Sequence, residues 1–321
     1  MIPTRGRARI LDETLARLAL YAPSAPIEVL VIYDGVDEKT REVAERERPG
    51  ARWPLRVLVQ EGVGPARRRN RGIADAQAPV CLFIGDDVFP GPDLIDGHLA
   101  FHERRPESTE ALLGLVVPAP PLDQYPFVRW LHEHGAQFNY AALRPGEEAA
   151  PESFWTANVS VKRDLLRHAG GFDETFPKAA GEDIEFGFRL AASGMKLHYD
   201  PSPVAHHFHP TDLRRTLARM RDIGVTFRTL CDRTPEVPPP SRPGARHRMR
   251  AAALTAALAA GRSTAARHAA WSFLCDEALR ESYWNAGSDG DSPRIGRTLA
   301  RLALADPLAN PPLPDQPDPL G

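Results

Sequence analysis

Apolar runs separated by polar turns set the framework of the first hundred residues. "IEVLVIYDGV" (27–36), "LRVLVQEG" (55–62) and "PVCLFIGDD" (79–87) each read as a strand that is apolar on both faces. Between them, residues 8–21, 37–48 and 65–77 carry helical periodicity. Strands alternating with helices in this way predict an α/β fold, a parallel sheet with helices laid against it. Ligands of such sheets sit beyond the carboxyl ends of the strands. Asp34, and Asp86 with Asp87, fall at those ends, so two strands deliver acids to one crevice.

Farther along, residues 112–210 mix short strands with long loops and then give a helix in "GEDIEFGFRLAASG" (181–194). Ile184, Phe188 and Ala191 are its expected inner face, Glu185 and Arg189 form an i,i+4 pair, and Gly194 is the stop. Glu182 and Asp183 therefore fall in its first turn. A basic amphipathic helix follows over 211–230, with Leu213, Leu217, Met220 and Gly224 along one side. It suits either packing against a partner helix or resting on an anionic membrane surface. "PEVPPPSRPG" (235–244) reads as a linker, 245–283 and 293–305 as helical, and the tail 306–321 as disordered.

Composition narrows the classes. With 40 Lys and Arg against 42 Asp and Glu, the 321-residue chain has a formal charge of −2, so any anion site must be local. Three scattered cysteines, Cys81, Cys231 and Cys275, speak against a disulfide framework. Apolar runs stop well short of the roughly 18 residues that span a membrane, and "MIPTRGR" has no signal-peptide core. A cytoplasmic location is expected, with the inner face of the membrane as the alternative.

Four stretches carry candidate chemistry. Asp86 and Asp87 can bind Mg²⁺ or Mn²⁺, act as acid or base, or cap the following turn. Glu182 and Asp183 follow a glycine and a long loop; the helix dipole alone would favour them there, and one of them can serve as a general base. In "VAHHFHP" (204–210), alternation places His207 and His209 on one face and His206 on the other. "GVGPARRRNRG" (62–72) gathers four arginines at a helix start, as a solvated face or a nucleotide contact, but lacks a dinucleotide fingerprint and a P-loop lysine. No aromatics interleave with these arginines, which argues against nucleic acid as a partner.

In this order, "IPTRGR", "VIYDGVD", "GPARRRNRG", "FIGDDVFPGPD", "WTANVSVKRDLLRHAGGFDETF", "GEDIEFGFRLAASG" and "HYDPSPVAHHFHP" make the chain resemble the family 2 glycosyltransferases. The resemblance implies a GT-A (Rossmann-like) domain over 1–210, with a mixed, mainly parallel sheet flanked by helices. Its nucleotide half would run to about 110 and its catalytic half over 111–210, and a helical extension would follow over 211–305. It implies transfer of a sugar from a nucleotide-diphosphate donor to an acceptor hydroxyl (saccharide, lipid or small molecule), metal-dependent and inverting. A retaining transferase, or a nucleotide-sugar-binding protein without turnover, is the alternative. By matching position, Thr4, Asp34, Arg69 and Asp86 would bind the nucleotide, and Asp87 and His207 the Mg²⁺ or Mn²⁺. His206 and His209 are further candidates for the metal. Asp183 would be the base with Glu182 beside it, and Trp155 and Asn158 would lie on the acceptor side. Three positions depart from the family: Gly85 stands where the first metal-site acid is usual, Tyr33 replaces an acid before Asp34, and only Met1 and Ile2 precede the Pro-Thr step. The last implies a very short first strand or a start farther upstream.

Overall fold

The computed structural model describes residues 1–23, 25–35, 37–46, 53–62, 64–135, 137–176, 179–261, 263–285 and 297–314. In chain order the first elements are β1 (Ile2–Thr4), α1 (Ala8–Leu20), β2 (Val29–Tyr33), α2 (Glu38–Glu45), β3 (Leu55–Val59), α3 (Pro65–Asp75), β4 (Val80–Ile84), β5 (Val88–Pro90), α4 (Leu94–Arg104) and β6 (Glu110–Pro118). Then come α5 (Pro120–Asp123), α6 (Pro126–Glu133), β7 (Asn158–Lys162), α7 (Arg163–His168), α8 (Glu182–Ala192) and β8 (Lys196–His207). The helices α9 (Leu213–Arg233), α10 (Ala245–Ala260), α11 (Thr264–Asn285) and α12 (Arg297–Leu304) close the order. Two compact units result. One takes Met1–Pro121 and Tyr140–His209; the other takes Leu122–Asn139 and Pro210–Leu313, so part of the expected catalytic half belongs to the helical unit.

In the first unit, β1, β2 and β3 form a parallel sheet with β2 at its centre. All five residues of β2 are buried, as its unbroken apolar run requires. A second sheet has the order β4-β7-β6-β8-β5, and only its β6–β8 pair is parallel. The fold is therefore a parallel three-stranded sheet beside a mixed one, and the mixed sheet takes β4 and β5 of the nucleotide half. The Ile84 amide donates to the Met1 carbonyl at 3.3 Å, which brings the ends of β4 and β1 side by side. β1 is three residues long.

Close approach explains several glycines. A Cβ on Gly187 would lie 2.3 Å from the Pro151 carbonyl oxygen, so α8 seats directly against the backbone before β7. That seating corrects the expected inner face of α8. Phe186, Gly187 and Leu190 are buried with Glu182 and Glu185, whereas Ile184, Phe188 and Ala191 are only half-buried. The Glu185–Arg189 pair forms at 2.5 Å, and Gly194 ends the helix with φ of 92°.

The second unit is helical around Trp130, Phe127, Trp271, Leu217, Met220 and Leu274. α9 buries Leu213, Leu217, Met220 and Gly224, the stripe read from the sequence. At Gly224 a Cβ would meet the Leu279 carbonyl oxygen of α11 at 2.4 Å, so the stripe is committed to a partner helix and its apolar side is not free for a membrane. The single pattern over 245–283 divides into α10 and α11 after Ala260. The linker is tied down: Arg280 donates to the Ser241 carbonyl at 2.8 Å, and the Trp284 indole N–H donates to the Pro240 carbonyl at 3.1 Å. The expected disorder from 306 onward is also corrected as far as the described residues reach. Asp306 and Ala309 are buried, and Arg267 donates to Asp306 at 2.7 Å; residues 315–321 lie outside the described residues. Among the described residues no helix is long and apolar enough to cross a membrane, and all three cysteines are free.

Candidate active site

The acid pair at the end of β4 is offset by the Arg7 cation and the Thr4 hydroxyl, and a second hydroxyl anchors its backbone. Arg7, in the loop after β1, donates through Nε to Asp86 Oδ2 at 3.1 Å and reaches Oδ1 through Nη2 at 2.5 Å. Its Nη1 meets Asp87 Oδ2 at 2.5 Å, so a single guanidinium spans both carboxylates. The Thr4 hydroxyl donates to Asp86 Oδ2 at 2.7 Å, and Thr14 of α1 donates to the Asp86 carbonyl at 2.6 Å. Asp86 is fully buried, and burial together with the Asp87 charge pushes its carboxyl up to about 6, against the pull of Arg7 and Thr4. Burial opposes the charge on Asp87 as well. There His207, Arg7 and His209 outweigh it and hold the carboxyl well below the usual range.

Asp87 faces the end of β8. Its Oδ2 is 3.7 Å from His207 Nε2, and ligand atoms of Asp87, His207 and His209 all lie within 4.8 Å of one another. The rings of His207 and His209 run parallel within 5°, their centroids 5.2 Å apart, as strand alternation predicts. His206 lies opposite Phe89 in the β5–β8 ladder, outside this cluster. A carboxylate and two imidazoles are a donor set that fits a divalent ion.

Asp34, after β2, pairs with Arg5 at 3.0 Å and stands 3.8 Å from Arg68 of α3. The next two residues of α3 turn elsewhere. Arg69 donates to Glu182 at 2.6 Å and lies over the Phe172 ring, while the Asn70 side chain exchanges hydrogen bonds with the Phe172 backbone at 2.7 and 2.9 Å. Consecutive α3 residues thus tie Asp34 to the start of α8. Arg69 serves the Glu182 side, and Arg68 is the arginine beside Asp34. Asp183, half-buried at the head of α8, is pushed up to about 6 by burial and by the Glu182 charge, with Arg69 pulling the other way. Glu182 is buried against Arg69, which makes it a positioning charge for its neighbour.

Trp155, half-buried in the turn before β7, stacks edge-on with Tyr140 at 5.0 Å. Asn158 is not on an acceptor surface. It is fully buried, donates to the Leu115 and Pro203 carbonyls at 3.0 and 2.8 Å, and shares its oxygen with His98 at 2.8 Å. Its work is to hold β6, β7 and β8 together, and both of its donors are spent. Sequence reasoning missed Arg7, Arg68 and Asn70 as individuals, although each lies inside a quoted motif. The only signal for Arg7 was its place as the second arginine of the "PTRGR" stretch after the short first strand.

A GT-A-like sheet pair with acids and histidines at its strand ends defines a class of nucleotide-sugar transferase folds, and comparison with known proteins agrees. Residues 1–112 match the family described as "Glycosyl transferase family 2", and residues 127–228 match "Glycosyl transferase family group 2". The chain belongs to the family 2 glycosyltransferases. It is 32% identical over 221 residues to a validoxylamine A glucosyltransferase of Streptomyces hygroscopicus subsp. jinggangensis, a match covering 61% of this chain and 52% of that protein. To a pre-mycofactocin glycosyltransferase of Mycobacterium tuberculosis it is 27% identical over 247 residues, covering 74% and 48%. The chain thus spans about half the length of these curated relatives. The fold is shared with the mannosyltransferase PcManGT of Pyrobaculum calidifontis, solved with GDP-Man and Mn²⁺, at a TM-score of 0.57, 19% identity and coverage of 90% and 86%.

Proposed function

We propose that this chain transfers a glycosyl group from a nucleotide-diphosphate donor to an acceptor hydroxyl, with a divalent metal and with inversion at the anomeric carbon. The carrying observation is the separation of two acid centres. Asp87 sits among cationic and imidazole groups at the ends of β4 and β8, while Asp183 heads α8 beside another acid. The first centre suits a leaving diphosphate and the second an incoming hydroxyl. The relatives' printed names, both glycosyltransferases, and the neighbour's GDP-Man and Mn²⁺ support this reading.

In the mechanism that follows, Asp34 with Arg5 and Arg68 lines the nucleotide end of the crevice. Thr4 and Asp86 brace Arg7, whose guanidinium adds positive charge beside Asp87 where the diphosphate charge develops. Asp87, His207 and His209 would hold the ion, which when bound neutralises charge on the leaving group. Asp183 takes the proton of the acceptor hydroxyl. Its raised pKa makes it a stronger base than an exposed aspartate, and Glu182, fixed by Arg69, maintains that elevation. Trp155 offers an aromatic face on the acceptor side.

The test is NMR of the product formed from a nucleotide sugar that turns over. An anomeric centre inverted relative to the donor, with transfer lost in Asp183→Asn, supports the reading. Retained configuration, or full transfer by Asp183→Asn, refutes the inverting base mechanism.

A further inference from the structure

We propose that the helical unit docks on membrane surfaces through an arginine-rimmed depression that takes the phosphate headgroups of anionic phospholipid. The depression, about 520 Å³ and open to solvent, is lined by Arg214 of α9, by Arg297, Ala300, Arg301 and Leu304 of α12, and by Ala305 just beyond it. All three arginines are exposed. Other arginines of the same unit are engaged: Arg215 pairs with Asp212 at 3.7 Å, Arg221 with Glu281 at 3.6 Å and Arg267 with Asp306 at 2.7 Å. Among the described residues, the side chains of Arg214, Arg297 and Arg301 have no such partner.

Without an anion this grouping is costly. Arg297 opens α12, where the helix dipole disfavours a cation, and the first turn holds no acid to offset it. Arg301 follows four residues later on the same face, a like-charge spacing that weakens a helix. Arg214 adds a third charge from α9. A phosphate relieves all three, and guanidinium groups suit its geometry. The start of α9 is not itself the anion site, because its amides are taken: Leu213 donates to the Ala309 carbonyl at 2.9 Å, Arg214 to Asn310 Oδ1 at 3.4 Å and Arg215 to Asp212 Oδ1 at 2.7 Å.

The lining decides what carries the phosphate. Between the charges lie Ala300, Leu304 and Ala305, with no aromatic ring on which a nucleic-acid base could stack. Leu308, next to the Ala309 that fastens α9, is 37% exposed. Cations beside exposed apolar carbon match an interface where phosphates and acyl chains adjoin. This contact is separate from the apolar stripe of α9, which packs on α11 at Gly224.

Membrane docking stands apart from the transfer chemistry and is tested without it. The full chain is floated with phosphatidylcholine vesicles, with and without phosphatidylglycerol, beside two triple variants. One is Arg214→Gln/Arg297→Gln/Arg301→Gln; the other is a charge-matched control, Arg41→Gln/Arg104→Gln/Arg144→Gln, at exposed sites of the α/β unit. Wild type and control should bind only the vesicles that contain phosphatidylglycerol, and binding should fall as salt rises. At roughly fivefold per arginine, the depression variant should bind about 100-fold more weakly, with its folding checked by thermal melting. Arg301→Gln alone, about fivefold weaker, carries the test if the triple variant does not fold. No binding by wild type, equal binding to neutral vesicles, or an equal loss in the two triple variants overturns the proposal. So does a rise in melting temperature with inorganic phosphate that needs the three arginines while the vesicles stay unbound, since that marks a free-phosphate site.

Discussion

At the end of β4 one side chain bridges the two acids. Arg7 reaches both Asp86 and Asp87, so removing it leaves a fully buried carboxylate facing another acid. Arg7→Gln should destabilise the chain by about 1 kcal/mol, a figure held down because the guanidinium is 44% exposed and screened by solvent. Added Mn²⁺ should restore part of the lost melting temperature, since a bound cation replaces the missing charge. A differential scanning comparison with and without Mn²⁺ checks both statements. Asp183 carries the second residue-scale expectation. Asp183→Asn should lower transfer by about 10²- to 10⁴-fold. The base must be ionised and its pKa is raised to about 6, so transfer should climb as pH rises through about 6 and level off above it. In Glu182→Gln the like charge that raises Asp183 is gone, so the limb should move to lower pH in kcat/KM profiles. Asp87 and Asp183 were legible in the sequence because acids after a buried strand and at a helix head are conspicuous. Arg7 and Arg68 were not, because an arginine among arginines carries no mark of which carboxylate it will meet across about 80 or 30 residues of chain.

Elements are positioned here by glycine contacts and by buried polar groups. Gly187→Ala drives a methyl against the Pro151 carbonyl and should cost about 1–3 kcal/mol, and it should also lower kcat because α8 carries Asp183. Gly224→Ala, pressed against α11, should cost a similar amount by overpacking without moving α8. Urea melts paired with transfer assays separate the two. The strands β2, β3 and β4 and helices α1, α2 and α3 were legible because their apolar periods are long and clean. The inner face of α8 was not, because buried Glu182 and Glu185 sit where apolar residues were expected, one held by Arg69 and the other by Arg189. Asn158 misled for the same reason: a polar residue in a family motif is a core bracket when β6, β8 and α4 all offer it partners. The segment after 306 was misread because its prolines suggest disorder, while the Asp306–Arg267 pair and buried Ala309 fasten it. Asp306→Ala should lower the stability of the helical unit by about 3 kcal/mol, measured by thermal or urea unfolding.

On the scale of the molecule, one α/β unit contains every residue proposed for donor, metal and base, and a helical unit accompanies it. Its charge balance is close to neutral, so attraction of a diphosphate depends on the local arrangement of Arg5, Arg7 and Arg68 rather than on the chain's overall field. The central claim, a metal-assisted nucleotide-sugar site, is tested most directly by thermal shift of the full chain across a panel of nucleotide sugars, with and without Mn²⁺, beside Asp87→Asn. The account predicts that at least one nucleotide sugar raises the melting temperature by several degrees, about what a ligand at 100 times its Kd gives. That rise should need Mn²⁺ and be absent in Asp87→Asn. A panel that leaves the melting temperature unmoved, or a rise that is the same without Mn²⁺ and in Asp87→Asn, would contradict it.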